Sequence, residues 1–338
     1  MRQSRGERQV TAARALPDAE AVRQAAGRIE KFAIRTPLLE FPPLNERAGG
    51  RIFVKPEILQ RTGSFKFRGA YSRLSRLDAE ARRAGVLAWS SGNHAQGVAS
   101  AAALLGLRAT ILMPADAPRM KMERTRSFGA GVVTYDRLGE DREAMGRAIA
   151  AESGAVIVPP YDDPDVIAGQ GTVGLEIAED AMRLGVALDE VLVPAGGGGL
   201  VAGSALALSE LPRPPRIYSV EPEGYDDHRR SLAAGRRVGN EAGRVSICDA
   251  LMAPMPGEIT FEINRKLLAG GLVVNDDDVI AAMRFAFEEM KLVVEPGGAV
   301  ALAAILSGKI ATEGKAVAIV LSGGNVDAAL FASVISGV

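Results

Sequence analysis

A single lysine, Lys66, stands between Phe65 and Phe67 directly after a Thr-Gly-Ser turn. Two large apolar neighbours suit either a lysine stem on an ordinary helix or an amine held partly out of water. A desolvated amine has a lowered pKa, so its free form is available as a nucleophile and as a base. Lys66 is therefore a candidate for covalent chemistry.

Three further segments place glycines and small polar side chains where a predicted strand ends. They are SSGNHAQG at 90–97, PAGGGGL at 194–200 and LSGGN at 321–325. The carboxyl ends of parallel strands meet at one edge of a sheet, where ligands commonly bind. We therefore expect the three segments to face one cleft.

The second segment has four consecutive glycines, Gly196 to Gly199, between a predicted strand and a predicted helix. Bare backbone amides at a helix amino terminus can surround an anion, so the segment is a candidate phosphate site. Gly197, Gly199 and Ala202 also fit the G-x-G-x-x-A dinucleotide pattern, with Glu221 placed as a ribose-binding acid. A plain flexible turn is the third interpretation, and the residues alone leave all three open.

The first segment carries Ser90, Ser91 and Asn93 at the start of another predicted helix. Hydroxyl, amide and backbone N–H groups there can receive a carboxylate or a ring hydroxyl. One of these side chains could instead cap the helix. A cap needs one polar residue, whereas this turn has several, and ligand binding is favoured.

The elements that must position these residues alternate between strand and helix patterns, which predicts an α/β protein with mainly parallel sheets. The predicted helices include 94–106 and 142–154. The predicted strands include 51–57, 85–90, 109–114, 131–136, 155–160, 190–196, 216–222 and 316–324.

The Asp-Pro segment at 161–169 is a candidate crossing between two lobes. We expect a small mobile lobe at 85–160 and a large, discontinuous cofactor-binding lobe at 1–84 and 161–338. The cleft between lobes is then the expected ligand site.

The composition of the chain argues against nucleic acid and membranes as partners. The chain has 338 residues, with 40 basic against 41 acidic side chains, so no net field favours nucleic acid or an anionic membrane. Apolar runs are broken before about 18 residues, which argues against a membrane span. Cys248 is the single cysteine and fits a cytoplasmic protein. The arginine-rich stretch 1–14 has some of the character of a transit peptide, but its poor apolar periodicity favours a frayed terminus.

Taken in order, SFKFRGA, SSGNHAQG, PAGGGGL and LSGGNVD resemble the fold type II pyridoxal-phosphate (PLP) enzymes, whose two-lobed fold is like that of the tryptophan synthase β chain. Within that group they resemble the threonine and serine dehydratases and the serine racemases. The resemblance extends from about residue 33 to the end. It implies helices on both faces of mainly parallel sheets.

The resemblance also implies roles for single residues. Lys66 matches the lysine that forms the Schiff base, and Asn93 matches the residue that binds the ring hydroxyl. Ser322 matches the residue facing the pyridine nitrogen, and a neutral serine there favours elimination over transamination. The implied cofactor-binding residues are Phe65, Lys66, Asn93, Gly196, Gly197, Gly198, Gly199, Leu200 and Ser322.

The implied reaction removes water from a 3-hydroxy-2-amino acid such as serine, threonine or 3-hydroxyaspartate, giving a 2-oxo acid and ammonia. The residues matching the loop for the substrate carboxylate are Ser90, Ser91, Asn93, His94 and Gln96. Ser91 also matches the residue that delivers a proton to the opposite face in serine racemases, so racemisation is the alternative main activity. Arg142 is expected to reach the cleft and clamp a second carboxylate, with an ordinary surface arginine as the alternative.

Segment 219–232 resembles the cation loop of the same group. Glu221, Asp227 and the carbonyl oxygen of Tyr225 would suit magnesium or calcium, with a solvated acidic loop as the alternative. His228 is expected at the surface. The resemblance further implies a homodimer and a nucleotide effector near Arg61, Thr62 and Gln96.

Two other enzyme classes are kept as alternatives. A β-replacement synthase of the same fold is disfavoured because the loop reads Asn-His-Ala at 93–95, where Asn-Thr-Gly is expected. A nicotinamide-dependent dehydrogenase rests on the glycine pattern alone and does not explain Lys66.

Overall fold

The structure is a computed structural model that describes residues 16–337, apart from 118, 137, 138 and 242. The arginine-rich stretch 1–14, expected to be a frayed terminus, lies outside these residues.

Strands and helices alternate through the described residues. The strands are β1 (Leu39–Glu40), β2 (Arg51–Pro56), β3 (Val86–Trp89), β4 (Ala109–Pro114), β5 (Gly131–Tyr135), β6 (Val156–Ile157), β7 (Glu190–Pro194), β8 (Arg216–Pro222), β9 (Gly270–Val274) and β10 (Ala316–Leu321). The helices are α1 (Ala19–Ile29), α2 (Pro42–Ala48), α3 (Lys66–Ser75), α4 (Ala79–Ala84), α5 (Asn93–Leu104), α6 (Arg119–Ser127), α7 (Arg142–Ser153), α8 (Pro164–Arg183), α9 (Gly199–Leu208), α10 (Asp227–Ala234), α11 (Glu258–Leu267), α12 (Asp276–Glu288), α13 (Pro296–Leu306) and α14 (Ala328–Ser336).

Six strands form the larger sheet, in the order β1-β2-β10-β7-β8-β9. Only β1 runs antiparallel to its neighbour, and the other pairs are parallel. Strand β10 lies between β2 and β7, so that Ile319 pairs with Val54 on one side and Leu192 on the other. The segment after β10, which holds Ser322, therefore leaves the sheet near its middle.

Helices cover both faces of this sheet, because its central strand is apolar on both sides. Val317, Ile319 and Leu321 pack with residues of α12 and α13, whereas Ala318 and Val320 pack with residues of α8 and α9. A near-continuous apolar strand of this kind is typical of buried parallel sheets.

The other four strands form a separate, fully parallel sheet in the order β5-β4-β3-β6, all within residues 86–157. Val86 and Ile111 pack with α5 on one face, and Leu87 and Leu112 pack near Met145 of α7 on the other.

The predicted α/β class is confirmed, and each of the eight predicted strands coincides with an observed one. β1 and β9 were missed, since the first has two residues and the second begins with two glycines, which read as a turn. The proposed division into a small mobile lobe and a discontinuous large lobe stays a prediction. None of the described helices combines the length and apolar character needed to span a bilayer.

Candidate active site

A cavity of about 790 Å³ opens at the carboxyl ends of strands from both sheets. The four motif segments meet there, as expected from the sequence. The predicted cofactor and substrate residues that line the cavity are Phe65, Lys66, Ser90, Ser91, Asn93, His94, Gln96, Arg142, Gly196, Gly197, Gly198, Gly199, Leu200 and Ser322.

Lys66 is the first residue of α3. Its Nζ donates a hydrogen bond to the carbonyl oxygen of Pro160 at 2.9 Å and lies 5.0 Å from the ring centre of Phe65. Burial lowers the pKa of this amine to about 8, against the opposing effect of the Glu295 carboxylate. The amine is therefore neutral in a substantial fraction of molecules near pH 8.

The two phenylalanines beside Lys66 belong to different apolar clusters. Phe65 packs against the core on the α8 and α9 side of the larger sheet, and Phe67 is buried in the core of the smaller one. The ring of Phe67 lies 5.7 Å from that of Tyr71. The start of α3 is thus anchored to both sheets, which fixes where Lys66 stands.

Asn93 is the first residue of α5, and its side chain is held from two sides. Its Nδ2 donates to Oε1 of Glu295 at 2.5 Å, while its Oδ1 accepts from Nδ2 of Asn325 at 2.7 Å. The helix N-cap is Gly92, which makes no side-chain capping bond. Neither Ser91 nor Asn93 acts as the cap, so the capping interpretation of this turn is wrong.

Glu295, which the sequence analysis missed, is buried at the N-cap of α13. Burial raises the pKa of its carboxyl group to about 7, although the hydrogen bond from Asn93 opposes the rise. A Cβ atom on Gly323 would lie 2.0 Å from Oε1 of Glu295, so the glycine after Ser322 gives this carboxylate its space. In the sequence, Glu295 follows an apolar run and precedes Pro-Gly-Gly. This pattern indicates only the start of a helix, so it did not mark Glu295 as a site residue.

The tetraglycine loop joins β7 to α9, and its conformation requires glycine. A Cβ on Gly197 would lie 2.3 Å from the ring of Tyr161, and one on Gly199 would lie 2.4 Å from Oε1 of Gln170. Gly198 has a φ of 92°, which side chains rarely adopt. The first amides of α9 have no partner within the helix and are available to an anion.

Two neighbours of this loop were also missed by the sequence analysis. Tyr161 lines the cavity in the segment between the two sheets, and Gln170 of α8 donates to the carbonyl oxygen of Pro160 at 3.1 Å. Within the part of the chain that the structure describes, the buried Oε1 of Gln170 has no hydrogen-bond partner. No spacing in the sequence marks these two residues, because long-range packing brings them to the loop.

His94 and Gln96 lie on the first turns of α5 and are almost fully buried. Nε2 of His94 lies 2.8 Å from the carbonyl oxygen of Val158. Burial, with a smaller contribution from Lys66, lowers the pKa of His94 to about 3, so its ring is neutral. Ser322 follows β10, and its carbonyl oxygen accepts from the backbone N–H of Phe65 at 3.1 Å, which ties the LSGGN segment to the lysine.

Arg142 begins α7 and is exposed at the rim of the cavity. The preceding residue, Asp141, caps this helix through the N–H groups of Glu143 and Ala144. Across the mouth, Nζ of Lys121 lies 3.3 Å from Oδ2 of Asp249. Lys121 is thus paired with an acid, and Arg142 is the cationic group at the rim that can meet an anionic substrate.

The three predicted cation ligands lie outside the lining of this cavity. Glu221, Asp227 and Tyr225 are all buried, so the loop is not a solvated acidic one. Burial, followed by repulsion from Asp227, raises the pKa of Glu221 well above its ordinary value. Burial likewise raises the pKa of Asp227 to about 7, and its Oδ2 has no hydrogen-bond partner among the described residues.

These charges do not amount to a complete metal cluster. Within the described part of the chain, no group of three or more His, Cys, Asp or Glu side chains could hold a metal ion. Glu221 already accepts from the backbone N–H groups of His228 and Arg229, at 2.7 and 2.9 Å. Only two carboxylates and a main-chain carbonyl would be offered to a cation here.

His228 is not a surface residue, and that expectation was wrong. Its side chain is fully buried, and burial lowers the pKa of its ring to about 4. Nε2 lies 2.9 Å from the carbonyl oxygen of Gly196, at the start of the tetraglycine loop. The polar residues on both sides of His228 in the sequence gave no sign that its side chain turns inward.

Comparison with known proteins identifies the family. The family model described as pyridoxal-phosphate dependent enzyme matches residues 29–323. The chain is 46% identical to the L-threo-3-hydroxyaspartate ammonia-lyase of Pseudomonas sp, an alignment that covers 93% of this chain and 97% of that protein. It is 40% identical to the serine racemase of Schizosaccharomyces pombe, with 95% and 98% covered.

A solved structure agrees with these sequences. The solved structure of maize serine racemase matches with a TM-score of 0.88 and 36% identity, covering 96% of this chain and 98% of that one. The resemblance to the dehydratase and racemase group is therefore confirmed, and the dinucleotide interpretation of the tetraglycine loop loses its support. With Lys66, Asn93, Ser322 and the tetraglycine loop gathered in one cavity, the chain belongs to the family of pyridoxal-phosphate dependent enzymes.

Proposed function

We propose that this protein is a PLP-dependent ammonia-lyase that removes water from 3-hydroxy-2-amino acids and accepts 3-hydroxyaspartate at least as well as serine or threonine. The observation that carries the proposal is the Lys66 amine, held beside Phe65 and Pro160 in a cavity that has Arg142 at its rim. The products are a 2-oxo acid and ammonia.

The cavity fits the cofactor on several counts. The tetraglycine loop leaves the space of absent side chains beside the first amides of α9, which suits a phosphate group. Lys66 would hold the aldehyde carbon, Asn93 the ring hydroxyl and Ser322 the ring nitrogen. When bound, the cofactor withdraws electrons from the α-carbon of the substrate.

Lys66 acts as the base that takes the α-proton. Its pKa of about 8 keeps much of the amine unprotonated under mildly alkaline conditions, and the Pro160 carbonyl orients it. Loss of the α-proton and of the β-hydroxyl together removes one water molecule. The resulting enamine takes up water, giving the 2-oxo acid and ammonia. The neutral hydroxyl of Ser322 would not keep the ring nitrogen of the cofactor protonated. The ring would then withdraw electrons less strongly, which favours rapid loss of the β-hydroxyl.

Recognition of the substrate is divided between two parts of the cavity. The Ser90, Ser91 and Asn93 turn at the amino terminus of α5 would hold the α-carboxylate. Arg142, the first residue of α7 and part of the cavity rim, would bind the second carboxylate of 3-hydroxyaspartate. Relatives named L-threo-3-hydroxyaspartate ammonia-lyase, from Pseudomonas sp and from Saccharomyces cerevisiae, support this choice at 46% and 45% identity.

Racemisation is the second candidate activity. Ser91 lines the cavity and is not needed as a helix cap, so its hydroxyl is available to deliver a proton to the face opposite Lys66. Relatives named serine racemase support this alternative.

The proposal includes a divalent cation, magnesium or calcium, held by Glu221, Asp227 and the Tyr225 carbonyl. Its support is the buried, unpartnered Oδ2 of Asp227 beside a second buried carboxylate.

We also propose a cytoplasmic homodimer with a nucleotide effector near Arg61, Thr62 and Gln96. Leu59 and Val293 are large exposed apolar side chains that a partner subunit would cover. The buried Oε1 of Gln96 has no hydrogen-bond partner among the residues described, which leaves it free to bind an effector.

The test is the visible spectrum of the purified protein, recorded with an assay of 2-oxo acid release from serine, threonine and 3-hydroxyaspartate. A Schiff-base band in the wild type that is absent in Lys66→Ala would support the assignment of Lys66. Ammonia and oxo-acid release in equal amounts would support the lyase activity. A wild-type protein that binds PLP but inverts serine or aspartate faster than it releases ammonia would favour the racemase alternative.

A further inference from the structure

The proposed reaction leaves a buried histidine without a role. His228 is the second residue of α10, and its backbone N–H is fixed by the Glu221 carboxylate at 2.7 Å. Its Nε2 lies 2.9 Å from the Gly196 carbonyl oxygen, and its Nδ1 lies 3.5 Å from Nδ2 of Asn264. A carbonyl oxygen only accepts, so Nε2 must carry the hydrogen and Nδ1 is left to accept.

The next carbonyl of the tetraglycine loop is held in the same way. The Gly197 oxygen accepts from the Thr260 hydroxyl at 2.7 Å and from the Gly257 N–H at 3.2 Å. Both donors belong to the start of α11, which also supplies Asn264. Two successive carbonyls of the loop are therefore drawn toward α10 and α11.

This arrangement decides where the loop amides point. In a planar trans peptide the carbonyl oxygen and the following N–H point in opposite directions. When the Gly196 and Gly197 oxygens face α10 and α11, the N–H groups of Gly197 and Gly198 face away from those helices. Both glycines line the cavity on their other side. A concavity of successive N–H groups is an anion site.

The ring of His228 packs directly under the loop. A Cβ on Gly198 would lie 2.4 Å from Cε1 of His228 and 2.9 Å from Nδ2 of Asn264. The ring thus supports the loop by contact as well as by its hydrogen bond. It does not line the cavity, so it does not touch substrate.

We propose that His228 is a positioning residue for the cofactor phosphate: its Nε2–H holds the Gly196 carbonyl away from the cavity and so presents the Gly197 N–H to the phosphate. The inference rests on the proposed function, in which the tetraglycine loop binds that group. Thr260 does the same for the following peptide.

A matched pair of variants separates the hydrogen bond from the bulk of the side chain. In His228→Gln the amide nitrogen can replace Nε2 and donate to Gly196. In His228→Asn the polar atoms end near the position of Nδ1 and cannot reach that oxygen. Both variants remain polar, and their thermal unfolding as apoenzymes should be compared first.

The measurement is the dissociation constant of PLP for each apoenzyme, together with the ³¹P resonance of the bound phosphate. We expect His228→Asn to weaken PLP binding about tenfold, the effect of one lost hydrogen bond, and to shift the ³¹P resonance. His228→Gln should stay within about threefold of the wild type and keep the resonance.

Other outcomes overturn the inference. If the Asn and Gln variants bind PLP equally well, or lose it equally, donation from Nε2 is not the cause. If the wild type itself takes up no PLP, the proposed function fails first, and that result is distinct from a difference between variants.

A second measurement needs no variant. The chain has only two histidines, His94 and His228, so the ¹⁵N spectrum of the wild-type rings is simple. We expect both rings to carry hydrogen on Nε2, since both Nε2 atoms face a carbonyl oxygen. A His228 ring with its hydrogen on Nδ1 would overturn the proposal even if His228→Asn did not fold.

Discussion

The side-chain amide of Asn93 donates to the carboxylate of Glu295 at 2.5 Å, joining the first residue of α5 to the N-cap of α13. Asn93 follows β3 of the smaller sheet, whereas Glu295 precedes α13, a helix that packs on the larger sheet. Because Asn325 donates to the opposite end of the same amide, the orientation of Asn93 is fixed. A buried acid thereby controls the residue expected to meet the cofactor ring.

The first prediction concerns the effect of Glu295 on stability. Its pKa is raised from 4.5 to about 7 by burial, so the folded apoenzyme binds more protons than the unfolded chain between these values. The stability contributed by the protonated acid is complete below about pH 4.5 and is lost as pH rises through about 7. The loss corresponds to about 3 kcal/mol.

Urea unfolding of the apoenzyme at about pH 5 and about pH 8 measures this effect. Glu295→Gln should make the decrease smaller by about 3 kcal/mol, because only the contribution of this carboxylate is removed, while Glu221 and Asp227 contribute equally to both proteins. An unchanged pH dependence in Glu295→Gln would show that this carboxylate is already ionised at about pH 5.

The second prediction concerns the reactivity of Lys66. Its pKa is lowered to about 8, chiefly by burial, so PLP uptake by the apoenzyme should accelerate as pH rises through about 8 and then level off. Glu295→Gln should move that midpoint to lower pH, because the carboxylate favours the charged amine. Stopped-flow absorbance measures the rate, and Lys66→Ala is the blank. A midpoint near 10, that of an ordinary lysine, would contradict the prediction.

The third prediction tests Arg142. Arg142→Ala should lower kcat/KM for 3-hydroxyaspartate by about 100-fold, the loss of a charge-assisted pair, and change serine and threonine by less than about threefold. Arg147→Ala is the matched control, since Arg147 lies on the same helix but pairs with Glu143. An equal loss on all three substrates would remove Arg142 from substrate selection.

The fourth prediction tests the space above the tetraglycine loop. Gly197→Ala would place a methyl group 2.3 Å from the ring of Tyr161, so it should displace the loop and weaken PLP binding by at least about tenfold. Gly27→Ala is the control, because it lies within α1 with nothing within 4 Å. That change should stabilise the protein by about 0.5–1 kcal/mol. Equilibrium titration with PLP is the measurement, and wild-type affinity in Gly197→Ala would rule out close packing there.

The fifth prediction concerns the cation. Magnesium or calcium should raise the Tm of the purified protein, because a cation would relieve repulsion between the buried Glu221 and Asp227 carboxylates. Asp227→Asn should abolish the increase, and Asp189→Asn, which alters a half-exposed ion pair with Arg213 and a bond to the N–H of Ala316, should keep it. A Tm that neither ion nor a chelator changes would argue against the site.

The parts of the site that the sequence predicted share one property. Lys66, Asn93, Ser322 and the tetraglycine loop lie within short motifs, where local spacing carries the information. Their gathering in one cavity follows from parallel strands, whose carboxyl ends share an edge.

The residues that were missed come from tertiary packing. Glu295 reaches Asn93 across 202 positions of the chain, and Gln170 and Tyr161 reach the loop only because α8 packs against α9. His228 was misplaced because polar residues surround it in sequence, whereas the preceding Asp227 and the ring itself turn inward. A pattern of neighbours along the chain does not report such inward turns.

The position of β10 has a consequence for how the protein is made. Residues 316–321 pair with β2 on one side and β7 on the other, although the ribosome adds them after every other strand of that sheet. Until β10 has been synthesised, the β1-β2 part and the β7-β8-β9 part of the larger sheet cannot join, and the edges of β2 and β7 that face β10 stay unpaired. Lys66 is made early, yet its cavity cannot close until the strand before Ser322 has left the exit tunnel. The cofactor should therefore bind late, after β10 has been synthesised and has joined the sheet.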